Sequence, residues 1–332
     1  MDEATMPTPL IEIKDLHTHF DTRDGVVKAV NGVSLTLNED SVLGVVGESG
    51  SGKTVTALSI LRLVPLPGKI VSGSIRFEGT ELLSLGSEAM RHLRGKEIAL
   101  IFQDASAALN PVTPIGNQIE EVMLEHTDMG KRMARERAAE LLANMGIPDP
   151  MQTMKRYPFQ ISGGMAQRVM MAIGVALEPK VLIADEPTSN IDVTLQAEIL
   201  HRLKQMREKN RSAIMLITHD MGVIAQMADS VAVMYGGTVV EHAETRKLFK
   251  RPTHPYTWAL FQALPRLDAP SRSLRPMRAS HPEMIDAPDQ CPFLHACSKA
   301  TNHCRTSPRP PLVEVEPEHE VACYNPISEI RG

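Results

Sequence analysis

Aromatic side chains are scarce in this sequence: Phe, Trp and Tyr make up 4% of its 332 residues, with a single tryptophan. A chain well above the length at which a sizeable core can form must therefore fill that core with aliphatic residues and with its 19 methionines, whose flexible thioethers suit irregular space. Long apolar runs are missing too. No stretch of about 18 apolar residues occurs, which excludes a membrane-spanning helix. The opening Met1-Asp2-Glu3-Ala4-Thr5 is acidic and carries no apolar stretch, so it is not a secretory signal, and the chain is expected to stay in the cytoplasm. There is no basic excess either. The formal net charge of −5 argues against general nucleic-acid binding, and the one basic stretch, Lys131–Arg137, alternates with Met and Ala at helical spacing, as a solvated helix face does. Cysteine is absent from all but the last 42 residues, and no internal repeat is visible.

Two textures divide what is present. From about residue 8 to residue 250, short β-branched runs alternate with helical patterns, which predicts an α/β fold with a mostly parallel sheet. Expected strands are Val42–Val46, Ile98–Phe102, Val181–Ala184, Ala213–Thr218 and Val231–Tyr235. From Pro252 onward the texture changes: 13 of the 24 prolines fall in the last 81 residues, and Asp268–Asp289 reads as an irregular linker. The expected division is a main domain over 8–250 and a small, loop-rich C-terminal extension over 251–332, separate from the main domain's chemistry.

That chemistry starts at Gly47-Glu48-Ser49-Gly50-Ser51-Gly52-Lys53-Thr54, a complete G-x-x-x-x-G-K-[ST] pattern between an expected strand and a helix-like run. Glycines let the backbone wrap a triphosphate so that several N–H groups point at its oxygens, and the following helix adds the positive end of its dipole. Lys53 would reach the β- and γ-phosphates, and the Thr54 hydroxyl would ligate Mg²⁺. Asp185 and Glu186 close the strand at Val181–Ala184, where a Mg²⁺ ligand and a group polarising the attacking water are needed. Two adjacent acids alone would more often be a solvated strand end; the phosphate loop reverses that preference.

A further segment, Ile161-Ser162-Gly163-Gly164-Met165-Ala166-Gln167-Arg168, resembles the signature motif of the ABC ATPases. The resemblance runs from about residue 10 to the end of the chain. It implies a phosphate-loop ATPase core with a helical subdomain at about 104–170. It also implies that Ser162, Gly163 and Gly164 bind the γ-phosphate held by an opposing chain. By the same resemblance Phe20 stacks on adenine, Gln103 contacts Mg²⁺ and water, Asp192 crosses the dimer interface, and His219 touches the γ-phosphate. Three positions depart from the family pattern: Met165 for glutamine, Ala166 where this branch has a basic residue, and Asn190-Ile191 for Ala-Leu.

Several stretches resemble one branch, the ATPases of dipeptide, oligopeptide and nickel importers. They are the phosphate loop itself, Phe102-Gln103-Asp104 with Ala108-Leu109-Asn110-Pro111, Tyr157-Pro158-Phe159, and Pro252-Thr253-His254-Pro255-Tyr256-Thr257-Trp258 at the junction with the extension. Cys291, Cys297, Cys304 and Cys323 are separated by 5, 6 and 18 residues, without the C-x₂-C pairs of common zinc sites. A cytosolic location argues against disulfides. Four thiolates suit a [4Fe–4S] cluster, which the branch implies, ahead of zinc and of four free thiols.

The resemblance implies ATP and Mg²⁺ as cofactors and peptide import as the work. Its expected partners are a second, related ATPase subunit, two membrane permeases and, indirectly, an extracytoplasmic solute-binding protein. The expected location is the cytoplasmic face of the inner membrane, as a peripheral subunit. Nickel or another small solute is the alternative cargo. A soluble ABC ATPase of translation or DNA repair is the alternative class, although its usual second cassette or coiled-coil insertion is not present.

Overall fold

Strands buried on both faces are written as unbroken apolar runs, and the runs expected from the sequence do form strands. The computed structural model of the chain describes residues 9–188, 193–263 and 284–328. It divides into two units, one built on Ser84–Ile217 with Leu37–Val42, the other on Ile11–Thr36, Leu43–Leu83 and the chain from Thr218 onward.

In the first unit, Ile98–Ile101, Val181–Asp185 and Ala213–Ile217 run parallel, with Ile101 opposite Ala184 and Asp185 opposite Ile217. Every residue of the latter two strands is buried. Helices Ile115–His126, Lys131–Asn144 and Gly163–Gly174 pack on one another. The first buries Ile115, Ile119 and Met123, and the second Ala134, Ala138, Leu141 and Leu142, spacings that place each set along one helical face. The basic stretch within Lys131–Asn144 lies outside, with Arg132 paired to Glu136 and Arg137 to Glu140, as a solvated face.

The second unit holds a four-stranded antiparallel sheet in the order Gly25–Asn38, Pro9–Thr22, Gly68–Phe77, Thr80–Glu81. Its second group of strands starts with Val42–Val46, parallel to Ser230–Tyr235. Thr238–Glu244 follows antiparallel, and His319–Val321 and Val313–Glu316 extend the edge. The tail therefore adds two strands to the sheet whose inner strand feeds the phosphate loop. Residues 251 onward belong to the same unit as that loop. At the junction, helix Pro255–Gln262 starts with Pro at its first position, where a missing N–H costs nothing.

Candidate functional site

The loop after Val42–Val46 turns back so tightly that two of its glycines have no substitute. Gly47 has φ 153°, and a Cβ there would lie 2.1 Å from the Met234 carbonyl oxygen. Gly52, at φ 100°, would place one 2.3 Å from the Ala29 oxygen. The loop is pinned from outside by Gly237 N–H donating to the Ser51 carbonyl (3.1 Å) and from inside by Ser51 N–H donating to the Glu48 carbonyl (3.2 Å). Lys53 is buried; its Nζ donates to the carbonyls of Gly47 and Glu48, both at 2.8 Å, and stands 3.4 Å from the Ser51 hydroxyl. Thr54, Ser49 and Gly50 are exposed at the mouth of helix Lys53–Ile60, whose first turn holds no acidic residue to compete with an anion.

Phe20, half-buried near the end of Pro9–Thr22, faces Gly68 across the antiparallel pair. A side chain at Gly68 would meet its ring at 2.5 Å. Thr218 donates its N–H to the Val45 carbonyl at 3.2 Å, which sets the exposed His219 one residue from the strand that feeds the loop. Gly47 to Thr54, Phe20 and His219 thus share one unit.

The remaining expected residues lie in the other unit. Asp185, 3% exposed, ends its strand, and Glu186 follows in the left-handed conformation at φ 49°, its N–H donating to the Ile217 carbonyl at 2.8 Å. A non-glycine residue held there costs on the order of 1–3 kcal/mol, a strain that concentrates at working sites. Gln103 is exposed just beyond Ile98–Ile101, the strand paired with the one that carries Asp185. Ser162 caps helix Gly163–Gly174, its hydroxyl accepting from Met165 N–H at 3.3 Å. Gly163 is open, with nothing within 4 Å of a Cβ position. Ala166 is buried, so that departure from the family pattern faces the interior. Asp192 and Asn190-Ile191 lie outside the described residues.

The four cysteines all line one small cavity of about 20 Å³, together with His254, Phe293, Lys299, Tyr324 and Asn325. The thiols are free, and among the described residues no group of three or more His, Cys, Asp or Glu side chains stands ready to hold a metal ion. Burial pushes Cys291 up to about 12 and Cys323 up to about 11, and it also raises Cys297. Burial pushes on Cys304 as well, but hydrogen bonds from the Thr301 side chain and backbone N–H groups bring it below the ordinary thiol value.

Sequence reasoning missed the groups that anchor this cavity. Glu241, fully buried, accepts N–H bonds from Thr253 (2.7 Å) and His254 (2.8 Å). His254 Nδ1 accepts Tyr256 N–H at 3.0 Å, so its proton sits on Nε2, a buried atom with no partner among the described residues. Burial holds this imidazole neutral, its pKa pushed down to about 4 against the opposing pull of Glu241. The one available signal was the His-Pro-Tyr junction, which reads in sequence only as a rigid turn.

A family model described as "ABC transporter" matches residues 30–189, and one described as "Oligopeptide/dipeptide transporter, C-terminal region" matches residues 240–304. The dipeptide transport ATP-binding protein DppD of Haemophilus influenzae is 40% identical over 326 residues, 96% of each chain. The oligopeptide transport ATP-binding protein OppD of Escherichia coli is 41% identical over 336 residues, 99% of each chain. Among solved structures, the ATP-binding cassette MJ0796 bound to ADP and Pi superposes with a TM-score of 0.66 at 24% identity. That match covers 71% of this chain and 99% of the cassette, a likeness of fold.

Proposed function

This chain belongs to the ABC transporter ATP-binding proteins of the oligopeptide and dipeptide type, and on that premise we propose that its ATP hydrolysis powers import of di- or oligopeptides. The observation that carries the reading is the loop at Gly47–Thr54, with two glycines no other residue can replace, a buried Lys53 and an exposed Thr54 at a helix start. A bound phosphate would compete with the loop's own carbonyls for the Lys53 ammonium. Thr54, Asp185 and Gln103 are the residues that would hold Mg²⁺, and the ion would supply neutralisation of phosphate charge. Glu186 polarises the attacking water, His219 reaches the γ-phosphate, and Phe20 supports adenine. Ser162, Gly163 and Gly164 serve the nucleotide of an opposing chain, with Asp192 at the same interface. The domains are the ATPase at 8–250, its helical subdomain at about 104–170, and the extension at 251–332.

The partners in this reading are a related second ATPase, two permeases and, through them, an extracytoplasmic solute-binding protein, at the cytoplasmic face of the inner membrane. No helix among the described residues is long and apolar enough to cross a membrane, so the permeases supply the path. Phe159 and Val112, 74% and 80% exposed, offer apolar surface for such partners on the unit that carries the helices. Reconstitution with both permeases and the binding protein in vesicles tests the cargo. Peptide-stimulated hydrolysis is the expected result, and stimulation by nickel alone would transfer the role to metal import.

For Cys291, Cys297, Cys304 and Cys323 we propose a [4Fe–4S] cluster. Support comes from the donor set: four unpaired thiols on one cavity, beside a buried imidazole N–H. Loading requires the thiols to release their protons, since cluster ligands bind as thiolates. Protein purified without oxygen should contain iron and acid-labile sulfide. Stoichiometric zinc without iron would make the site structural zinc, and four titratable thiols without metal would remove both.

A further inference from the structure

Tyr256 links the phosphate loop to the walls of the cysteine cavity. Glu48 donates its backbone N–H to the Tyr256 hydroxyl at 3.0 Å, 208 residues away in sequence. The carbonyl of that same Glu48 is held by Lys53 Nζ at 2.8 Å and by Ser51 N–H at 3.2 Å. Both backbone polar groups of one loop residue are thereby fixed, one from within the loop and one from the extension.

Tyr256 is itself rigid. It is fully buried, and its ring lies 4.4 Å from that of Tyr235 and 5.5 Å from that of Phe293, while Tyr235 and Phe293 meet edge to face at 5.4 Å. Its backbone N–H is bound to His254 Nδ1. Phe293 and His254 are walls of the cysteine cavity. Three aromatic rings packed at these distances leave the hydroxyl little freedom, because interiors transmit displacement rather than absorb it.

We propose that Tyr256 is a positioning residue of the phosphate loop, and that through its ring the packing of the extension sets nucleotide affinity. The inference rests on the reading that Gly47–Thr54 holds the nucleotide's phosphates. The hydroxyl pre-orders Glu48, so the loop binds phosphate without first losing backbone freedom. Phe293, whose ring packs on that of Tyr256 at 5.5 Å, acts on the same hydroxyl at one remove.

The test is equilibrium binding of Mg-ADP to the full chain, with thermal unfolding measured in parallel. Tyr256→Phe keeps the ring and removes only the hydroxyl. It should raise the Mg-ADP dissociation constant about two- to tenfold, the factor a single neutral hydrogen bond is worth. It should also shrink the nucleotide-induced rise in unfolding midpoint more than it moves the midpoint without nucleotide. Phe293→Leu should weaken Mg-ADP binding in the parent and leave the Tyr256→Phe chain unaffected. Parental affinity in Tyr256→Phe, or a loss from Phe293→Leu that persists in the Tyr256→Phe chain, would overturn the proposal. A parent chain that binds no Mg-ADP would instead overturn the assignment of the loop.

Discussion

The imidazole of His319 stands with Nε2 2.7 Å from the Glu241 carboxylate, and the two side chains are 1% and 0% exposed. Because Glu241 also takes the N–H groups of Thr253 and His254, one carboxylate ties three segments together: strand Thr238–Glu244, the junction, and strand His319–Val321.

Glu241→Leu leaves two backbone N–H groups and a ring nitrogen without a partner in the interior, each at about 1–3 kcal/mol. The expected result is a loss of about 3 kcal/mol or more, read as a lower denaturation midpoint. His319→Leu should cost less, since the carboxylate keeps two donors. The double variant should cost less than the sum of the two. Additive losses would show that the pair does not interact.

Gly52→Ala forces a Cβ to within 2.3 Å of the Ala29 carbonyl oxygen at a left-handed φ. Loop closure fails before global folding does. The variant should lose Mg-nucleotide binding by tenfold or more, with only a moderate fall in unfolding midpoint. Parental affinity would contradict the loop geometry.

How much of this was legible in the sequence follows from burial. Val42–Val46 is the strand the apolar run predicts, residue for residue, because all five side chains are buried and no polar position interrupts the pattern. The run Ile98–Phe102 overshoots by one, since Phe102 turns outward and is 38% exposed. The antiparallel strands Pro9–Thr22 and Gly25–Asn38 mix exposed, half-buried and buried positions, and their polar residues hide the alternation. Glu241 and His319 are 78 residues apart and each looks like an ordinary surface residue. Nothing local distinguishes Tyr256 from a rigid turn, because its partner is a backbone N–H, which leaves no mark on the sequence.

His126 ends helix Ile115–His126, and its pKa is pushed below 6.5 by burial first, then by His92, Lys96 and Arg91. Below pH 6.5 the unfolded chain takes up a proton that the folded one refuses, so stability declines as pH falls through that value and levels off below the lowered folded pKa. Above pH 7 the group contributes nothing. His126→Asn should flatten the unfolding midpoint between pH 7 and 5, and an unchanged slope would contradict the assignment.

Ser162 and Gly163 sit on an open helix start; if, as proposed, that start serves an opposing chain's nucleotide, a lone chain lacks half of each composite site. ATP hydrolysis by the purified chain should be slow, rise with protein concentration, and increase when a related ATPase subunit is added. High activity independent of concentration would contradict a composite site.

In the proposed mechanism Glu186, held in its left-handed conformation at the end of Val181–Asp185, activates the water that attacks the γ-phosphate. Glu186→Gln keeps the shape of the site and removes the group that polarises water, while no phosphate ligand is lost. The direct measurement is steady-state phosphate release alongside Mg-ATP affinity, in the assembled transporter. Affinity should stay within a few-fold of the parent while turnover falls by about 10²-fold or more. Hydrolysis at close to the parental rate would contradict it.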